Sequence, residues 1–195
     1  KFIHLVRDPR DVIASFMKQK SSSNSSYDAV LQWKKQQKLL IAAKKDSKFS
    51  CIAIRYEDLI SDTSTSMDKI MLELGLPPDA KCYETNPLNK ESIKSTYWKN
   101  ISQPIMVRNS NKFMEELSEE DILIIETIAK DEMKEYGYSP VSNQDWKITR
   151  ESINFINRQK QTRKEQAKNN INEHMEAVDS KKKLINQITS KRRIK

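Results

Sequence analysis

Apolar residues along this chain fall in short bursts whose period switches between strand and helix. Residues 2–6 (F-I-H-L-V) form a β-rich run in which Ile3, Leu5 and Val6 predict a buried strand. The run stops at Arg7, and Asp8-Pro9 opens a helix: Asp8 suits the N-cap, and Pro9 the first helical position, where a missing N–H costs nothing. After a serine-rich loop at 21–26, with Ser26 as cap, Val30, Trp33, Leu39, Leu40 and Ala43 mark a helical stripe over residues 27–45, and Trp33 is expected in the core. Residues 49–56 alternate as a second strand. Two strands separated by a long helix imply a crossover and a parallel sheet. A helix over 64–74 is stopped by Gly75 and Pro77-Pro78. Residues 79–112 show little periodicity, and an irregular length of this kind in a compact domain signals function or mobility. Ser118 then caps a helix whose first turn is acidic (Glu119, Glu120, Asp121), with Ile122, Ile125, Ile128 and Ala129 as its stripe and Gly137 as its end.

From about residue 141 the chain becomes rich in Lys, Asn and Gln. Ile171, Met175, Val178 and Ile185 recur at coiled-coil-like spacing, with Lys182 interrupting the seam. This predicts a long, mostly solvated helix that docks back on the fold or pairs with another chain. The expected division is therefore residues 1–140 as an α/β domain and 141–195 as a basic helical tail. At 195 residues the chain has room for one domain with a real core. Its apolar content is 36% and its charged content 32%. No apolar stretch approaches the roughly 20 residues that span a bilayer, and no signal-peptide pattern is visible. The chain begins with Lys1, inside a strand run, and reads as the C-terminal part of a longer protein. Cys51 is expected to be a buried strand residue; with Cys82, His4 and His174 it makes no zinc-type spacing. Residues 143–195 hold 14 basic and 6 acidic side chains, the whole +8 excess of the chain. Basicity is a property of the tail. Its Lys/Arg clusters at 181–183 and 191–193 have no interleaved aromatic residues, which argues against a nucleic-acid interface.

The candidate chemistry sits at the start. Arg7 stands at the carboxyl end of a strand, where open α/β sheets bind ligands. Ser15 follows Asp11 by four residues and so shares its helix face. A phosphate at this corner meets a helix N-terminus, a guanidinium fork and a hydroxyl. The same spacing also allows Arg7 to pair with Asp8 or Asp11 while Ser15 merely packs. Arg10 is expected to be a structural ion-pair partner.

These residues resemble the sulfotransferases that use 3′-phosphoadenosine-5′-phosphosulfate (PAPS), whose 3′-phosphate motif is an Arg ending a strand and a Ser eight positions later. The words V-R-D-P-R-D-V-I-A-S are similar to the bacterial and tyrosylprotein-type branch. I-R-Y-E-D-L (54–59), L-E-L-G-L (72–76), Q-P-I (103–105) with Lys112-Phe113, and E-Y-G-Y (135–138) resemble further family words in the same order. The resemblance implies a P-loop-like parallel sheet flanked by helices, the C-terminal part of a sulfotransferase fold, followed by the helical extension. It implies sulfuryl transfer from PAPS to a hydroxyl-bearing acceptor. Arg7 and Ser15 match the 3′-phosphate ligands, Tyr56 a tyrosine that touches the nucleoside, Lys112 a lysine that reaches the cofactor, and Ser95 a serine near the phosphosulfate. Gln19 stands where some relatives carry a second Arg, and Tyr97-Trp98 could line the acceptor cleft or cover the core.

The chain departs from the pattern in its glycines. There are two, Gly75 and Gly137, and neither lies in a strand–loop–helix cradle for the 5′-phosphosulfate. No family base can be matched either. The expectation is that both features lie upstream, and that this chain alone grips the 3′-phosphate end and catalyses nothing. The alternative is a non-catalytic nucleotide-fold module with a basic interaction tail. No metal is expected. The compartment follows the branch, cytoplasmic for the bacterial type and Golgi lumenal for the tyrosylprotein type.

Overall fold

The structure, a computed structural model, describes residues 1–19, 25–46, 50–83, 105–147 and 149–192, with side chains of the last helix described through residue 172 and at Met175. Strand β1 (Phe2–Val6) and strand β2 (Cys51–Arg55) pair in parallel, from Phe2 opposite Cys51 to Val6 opposite Arg55. The crossover between them holds α1 (Pro9–Lys18) and α2 (Ser26–Lys45). After β2 come α3 (Tyr56–Ser61) and α4 (Thr63–Leu74), then a 3₁₀ turn (Ala80–Cys82), α5 (Phe113–Glu116), α6 (Glu119–Ile128), α7 (Lys130–Glu135) and α8 (Arg150–Arg192). The expected α/β class with a parallel sheet and a long helical extension is the observed one.

Local signals act as their chemistry dictates. The Asp8 carboxylate accepts from the Arg10 N–H, with Pro9 leading α1. Ser118 Oγ accepts from the Asp121 N–H. Gly75 takes a left-handed φ of 78° and ends α4, with its own N–H donated to Leu72 and that of Leu76 to Met71.

Other expectations need correction. Ser25, not Ser26, caps α2, in a reciprocal box with Asp28. The second strand stops at Arg55, and Tyr56 begins α3. The stripe of α2 is Ala29, Val30 and Trp33, while Leu39 is 65% exposed. The single helix expected between Ser118 and Gly137 breaks at Ala129, where Lys34 Nζ donates to the Ile128 carbonyl at 2.5 Å and competes with the ladder. Cys51 is half-buried.

Strand β1 departs furthest from the pattern, since Ile3 and Leu5 are each 50% exposed. One face of the sheet (His4, Val6, Ala53) is covered by the main core of Ile13, Val30, Trp33, Ile125, Met133 and Tyr136. On the other face α3 and α4 lie against β2, burying Ile52, Ile54, Ile60 and Ile70. On that face of β1 the side chains of Ile3 and Leu5 remain half exposed.

A buried charge network joins the β1–α1 junction to α6 and to residues 139–142. Arg10, 4% exposed, bonds Asp8 through Nε (2.9 Å) and Nη2 (2.6 Å), Glu126 through Nη1 (2.5 Å), and the Ser139 carbonyl (3.1 Å). Burial disfavours its charge, but Asp8 and Glu126 outweigh this and hold its pKa above the ordinary value. Glu126 also accepts the N–H groups of Val141 (2.8 Å) and Ser142 (2.9 Å). The expectation for Arg10 is thus met. Glu126→Ala leaves a buried guanidinium half-paired, and urea unfolding should register a loss of about 3–5 kcal/mol.

His4 is 7% exposed and lies edge-on to Tyr136, its Nδ1 3.5 Å from the Tyr136 hydroxyl. Burial, and secondarily the charge of Lys44, push its pKa below 6.5, against an opposing hydrogen bond with Gln37. A lowered folded-state value means that the unfolded chain takes up the proton first. Stability should therefore be intact above pH 6.5 and fall as pH drops below it, by up to about 1.4 kcal/mol per pH unit. His4→Asn should flatten that part of the profile in urea midpoints measured between pH 7.5 and 5.

Candidate functional site

The carboxyl end of β1 delivers Arg7 into a cluster drawn from three distant parts of the chain. Its guanidinium stacks on the Tyr56 ring at 4.5 Å from the centroid. Nη2 donates to the Asn109 carbonyl at 2.8 Å and lies 3.7 Å from Asp11 Oδ2. Asn109 closes the triangle by donating from Nδ2 to the Tyr56 hydroxyl at 2.7 Å. The side chain of Arg7 is 24% exposed, so the cluster opens to solvent on one side.

Asp11 holds the third part in place. Its carboxylate, 1% exposed, accepts the N–H of Asn111 at 2.8 Å and of Phe113 at 3.0 Å. Those two bonds bracket Lys112, so the lysine's backbone is fastened against the first turns of α1. Asn111 adopts φ 60°, a left-handed conformation that Asn tolerates better than most residues. It turns the chain so that both neighbouring amides reach one carboxylate. Phe113 below is fully buried, with the Arg10 guanidinium 4.3 Å over its ring. Lys112 itself is exposed.

Ser15 is exposed one turn beyond Asp11 on α1, about 6 Å along the axis. Arg7, Tyr56 and the backbone of Lys112 are therefore brought together, with Ser15 at the margin. Ser95 lies outside the described residues, as do Tyr97 and Trp98. Of the two pairings left open for Arg7, Asp11 is taken, while Asp8 is committed to Arg10. Gln19 offers only its backbone, whose carbonyl accepts from Arg163 at 3.0 Å.

Beneath the cluster, Glu57 fixes the strand tips to each other. Its Oε1 accepts the Asp8 N–H at 3.0 Å and its Oε2 the Tyr138 hydroxyl at 2.8 Å. Burial, and then the adjacent Glu57, push the Tyr138 pKa far above the usual phenol range, so Tyr138 stays a neutral donor. Glu57 and Tyr138 lie inside the family-like words at 54–59 and 135–138, but Asn109 carried no functional signal in the sequence. Asp11 did, through its four-residue spacing from Arg7. Among the described residues, no group of three or more His, Cys, Asp or Glu side chains could hold a metal, and no helix is long and apolar enough to cross a membrane.

The family model of the sulfotransferase family matches residues 1–80. That stretch is similar to the sulfotransferase family. No curated protein and no solved structure gives a significant match to the chain. The matched segment contains β1, α1, α2, β2, α3 and α4, and with them Arg7, Ser15 and Tyr56. Asn109 and Lys112 reach it from outside. The name of that family points to sulfuryl transfer as the chemistry of its members.

Asp11→Asn keeps the size of the hub but replaces one acceptor oxygen with a donor. Hydrogen exchange at the Asn111 and Phe113 amides should accelerate, and urea unfolding should show a loss of about 1–3 kcal/mol for the unmet backbone donor.

Proposed function

We propose that this chain supplies the 3′-phosphate-binding side of a PAPS-dependent sulfotransferase, with residues 1–140 forming the nucleotide-binding part. The observation that carries this reading is the placement of Arg7: a guanidinium at the tip of a parallel strand, stacked on Tyr56, fastened by Asp11 and Asn109, and open to solvent at the start of α1. The donor chemistry of the corner fits a phosphate. Arg7 Nε is sealed from solvent and has no hydrogen-bond partner among the described residues, an orphaned donor at the centre of the cluster. Ser15, Arg108 and Lys112 are exposed, on α1 and on the segment that carries Asn109. The one acidic group in the cluster, Asp11, has its charge offset by two amides and by Arg7 itself.

In this reading Arg7 and Ser15 bind the 3′-phosphate, the Tyr56 ring fixes the plane of the guanidinium beside the nucleoside, and Lys112 adds positive charge at the rim. Ser95 is proposed beside the phosphosulfate. PAPS, when bound, supplies a sulfuryl group whose bond to the 5′-phosphate breaks as the acceptor oxygen bonds to sulfur. The work of these residues is to hold the far end of the donor, so that its reactive end is presented in one orientation. Both glycines terminate helices, at φ 78° and 74°, so neither takes part in a phosphate cradle, and the reading assigns this chain the 3′ side of the donor alone.

Calorimetric titration with adenosine 3′,5′-bisphosphate tests the assignment. Arg7→Ala should weaken binding by roughly 1.5–3 kcal/mol, the worth of a charged hydrogen bond. Adenosine 5′-monophosphate, which lacks the 3′ group, should hardly sense the change. Equal losses for the two ligands would sink the assignment and make Arg7 a structural residue.

A further inference from the structure

We propose that Arg163, far out on α8, is a positioning residue for the phosphate grip, acting through the last turn of α1. This inference rests on the function proposed above. The opening turns of α8 are a brace across three helix ends. Gln159 Oε1 accepts the Ser26 N–H at 3.2 Å at the start of α2, and its Nε2 donates to Asp121 at 2.7 Å at the start of α6. Lys160 pairs with Asp28 in the first turn of α2 at 2.9 Å. Ile156 enters the core at 8% exposure.

One turn further on, Arg163 crosses to α1. It is 7% exposed, although nearly every neighbour on its own helix is solvated. Its Nη1 donates to the Met17 carbonyl at 2.7 Å, and its Nη2 to those of Phe16 at 3.3 Å and Gln19 at 3.0 Å. The last carbonyls of a helix have no partners within it, and that end carries partial negative charge. A single guanidinium here meets the carbonyls of Met17, of Phe16, which also accepts the Gln19 N–H, and of the capping residue Gln19, and it opposes the dipole. These carbonyls directly follow Ser15, the hydroxyl assigned to the phosphate. Lys18, in the same turn, pairs with Glu116 of α5, the helix that Lys112 caps. The turn that carries Ser15 is thus held from two sides, and Arg163 is the side that comes from the tail. Without it, the last turn of α1 loosens, Ser15 is less firmly placed, and a ligand must order the turn on binding.

The test compares Arg163→Ala, Arg163→Lys and Arg7→Ala in the full chain, each first shown to be folded by its urea midpoint. Calorimetry with adenosine 3′,5′-bisphosphate and with adenosine 5′-monophosphate reads affinity, and hydrogen exchange reads the amides at residues 16–19. The expected result for Arg163→Ala is a three- to tenfold loss for the bisphosphate, on the order of a helix-end charge. It should show no loss for the monophosphate and faster exchange at 16–19. Arg163→Lys, which keeps the charge without the fork, should recover part of the affinity. If Arg7→Ala weakens the bisphosphate and Arg163→Ala does not, the positioning role is wrong while the site stands. If Arg163→Ala weakens both nucleotides alike, Arg163 only supports the fold. If Arg7→Ala leaves bisphosphate binding unchanged, the proposed function fails, and the positioning role fails with it.

Discussion

The Arg10 guanidinium is the charge around which the rest of this molecule is arranged. Taking a cation out of water is tolerable only where oppositely charged groups and carbonyls meet it at good geometry. Asp8, Glu126 and Ser139 do so from three regions of the chain, and the ring of Phe113 covers the flat face. The network ties the turn after β1 to α6 and to the segment that leaves Tyr138. Two of the segments that build the candidate site hang on its members. Asp8 caps the helix that carries Asp11 and Ser15, and Phe113 anchors the loop that carries Asn109 and Lys112.

On that foundation the phosphate corner is assembled from neighbours that are close in space and remote in sequence. Arg7 does not rely on a ligand for its orientation. Tyr56, Asn109 and Asp11 fix it beforehand, so little rotamer freedom remains to be lost on binding. The balance of charge is equally deliberate. A carboxylate beside an anion site is a liability unless its lone pairs are occupied, and Asp11 spends them on two backbone amides. The sulfotransferase-family match covers the half of this cluster that lies on β1, α1 and α3.

The legible parts of the fold were those governed by short-range rules. Asp8-Pro9, Ser118 with its acidic turn, and Gly75 each act on residues a few positions away, and each marks a helix end as expected. Arg7 and Asp11 were readable for the same reason, one helical turn apart. Asn109 was not, because its whole role depends on a contact with residues 53 and 102 positions away, and a lone Asn in an aperiodic stretch has no pattern. The exposure of Ile3 and Leu5 was misread because β-propensity reports fitness for a sheet, not whether a neighbouring element covers it. Arg163 sits in a run of charged residues where composition alone says solvent. Only the three carbonyls at the end of α1 make its position different from its neighbours.

The bare flank of β1 has a practical cost. Ile3 and Leu5, each half exposed, share one face of a short strand that pairs with β2 among the described residues. Unguarded ribbons of this composition template further ribbons. The consequence is that two apolar side chains on β1 offer a surface that another strand or an apolar partner can cover.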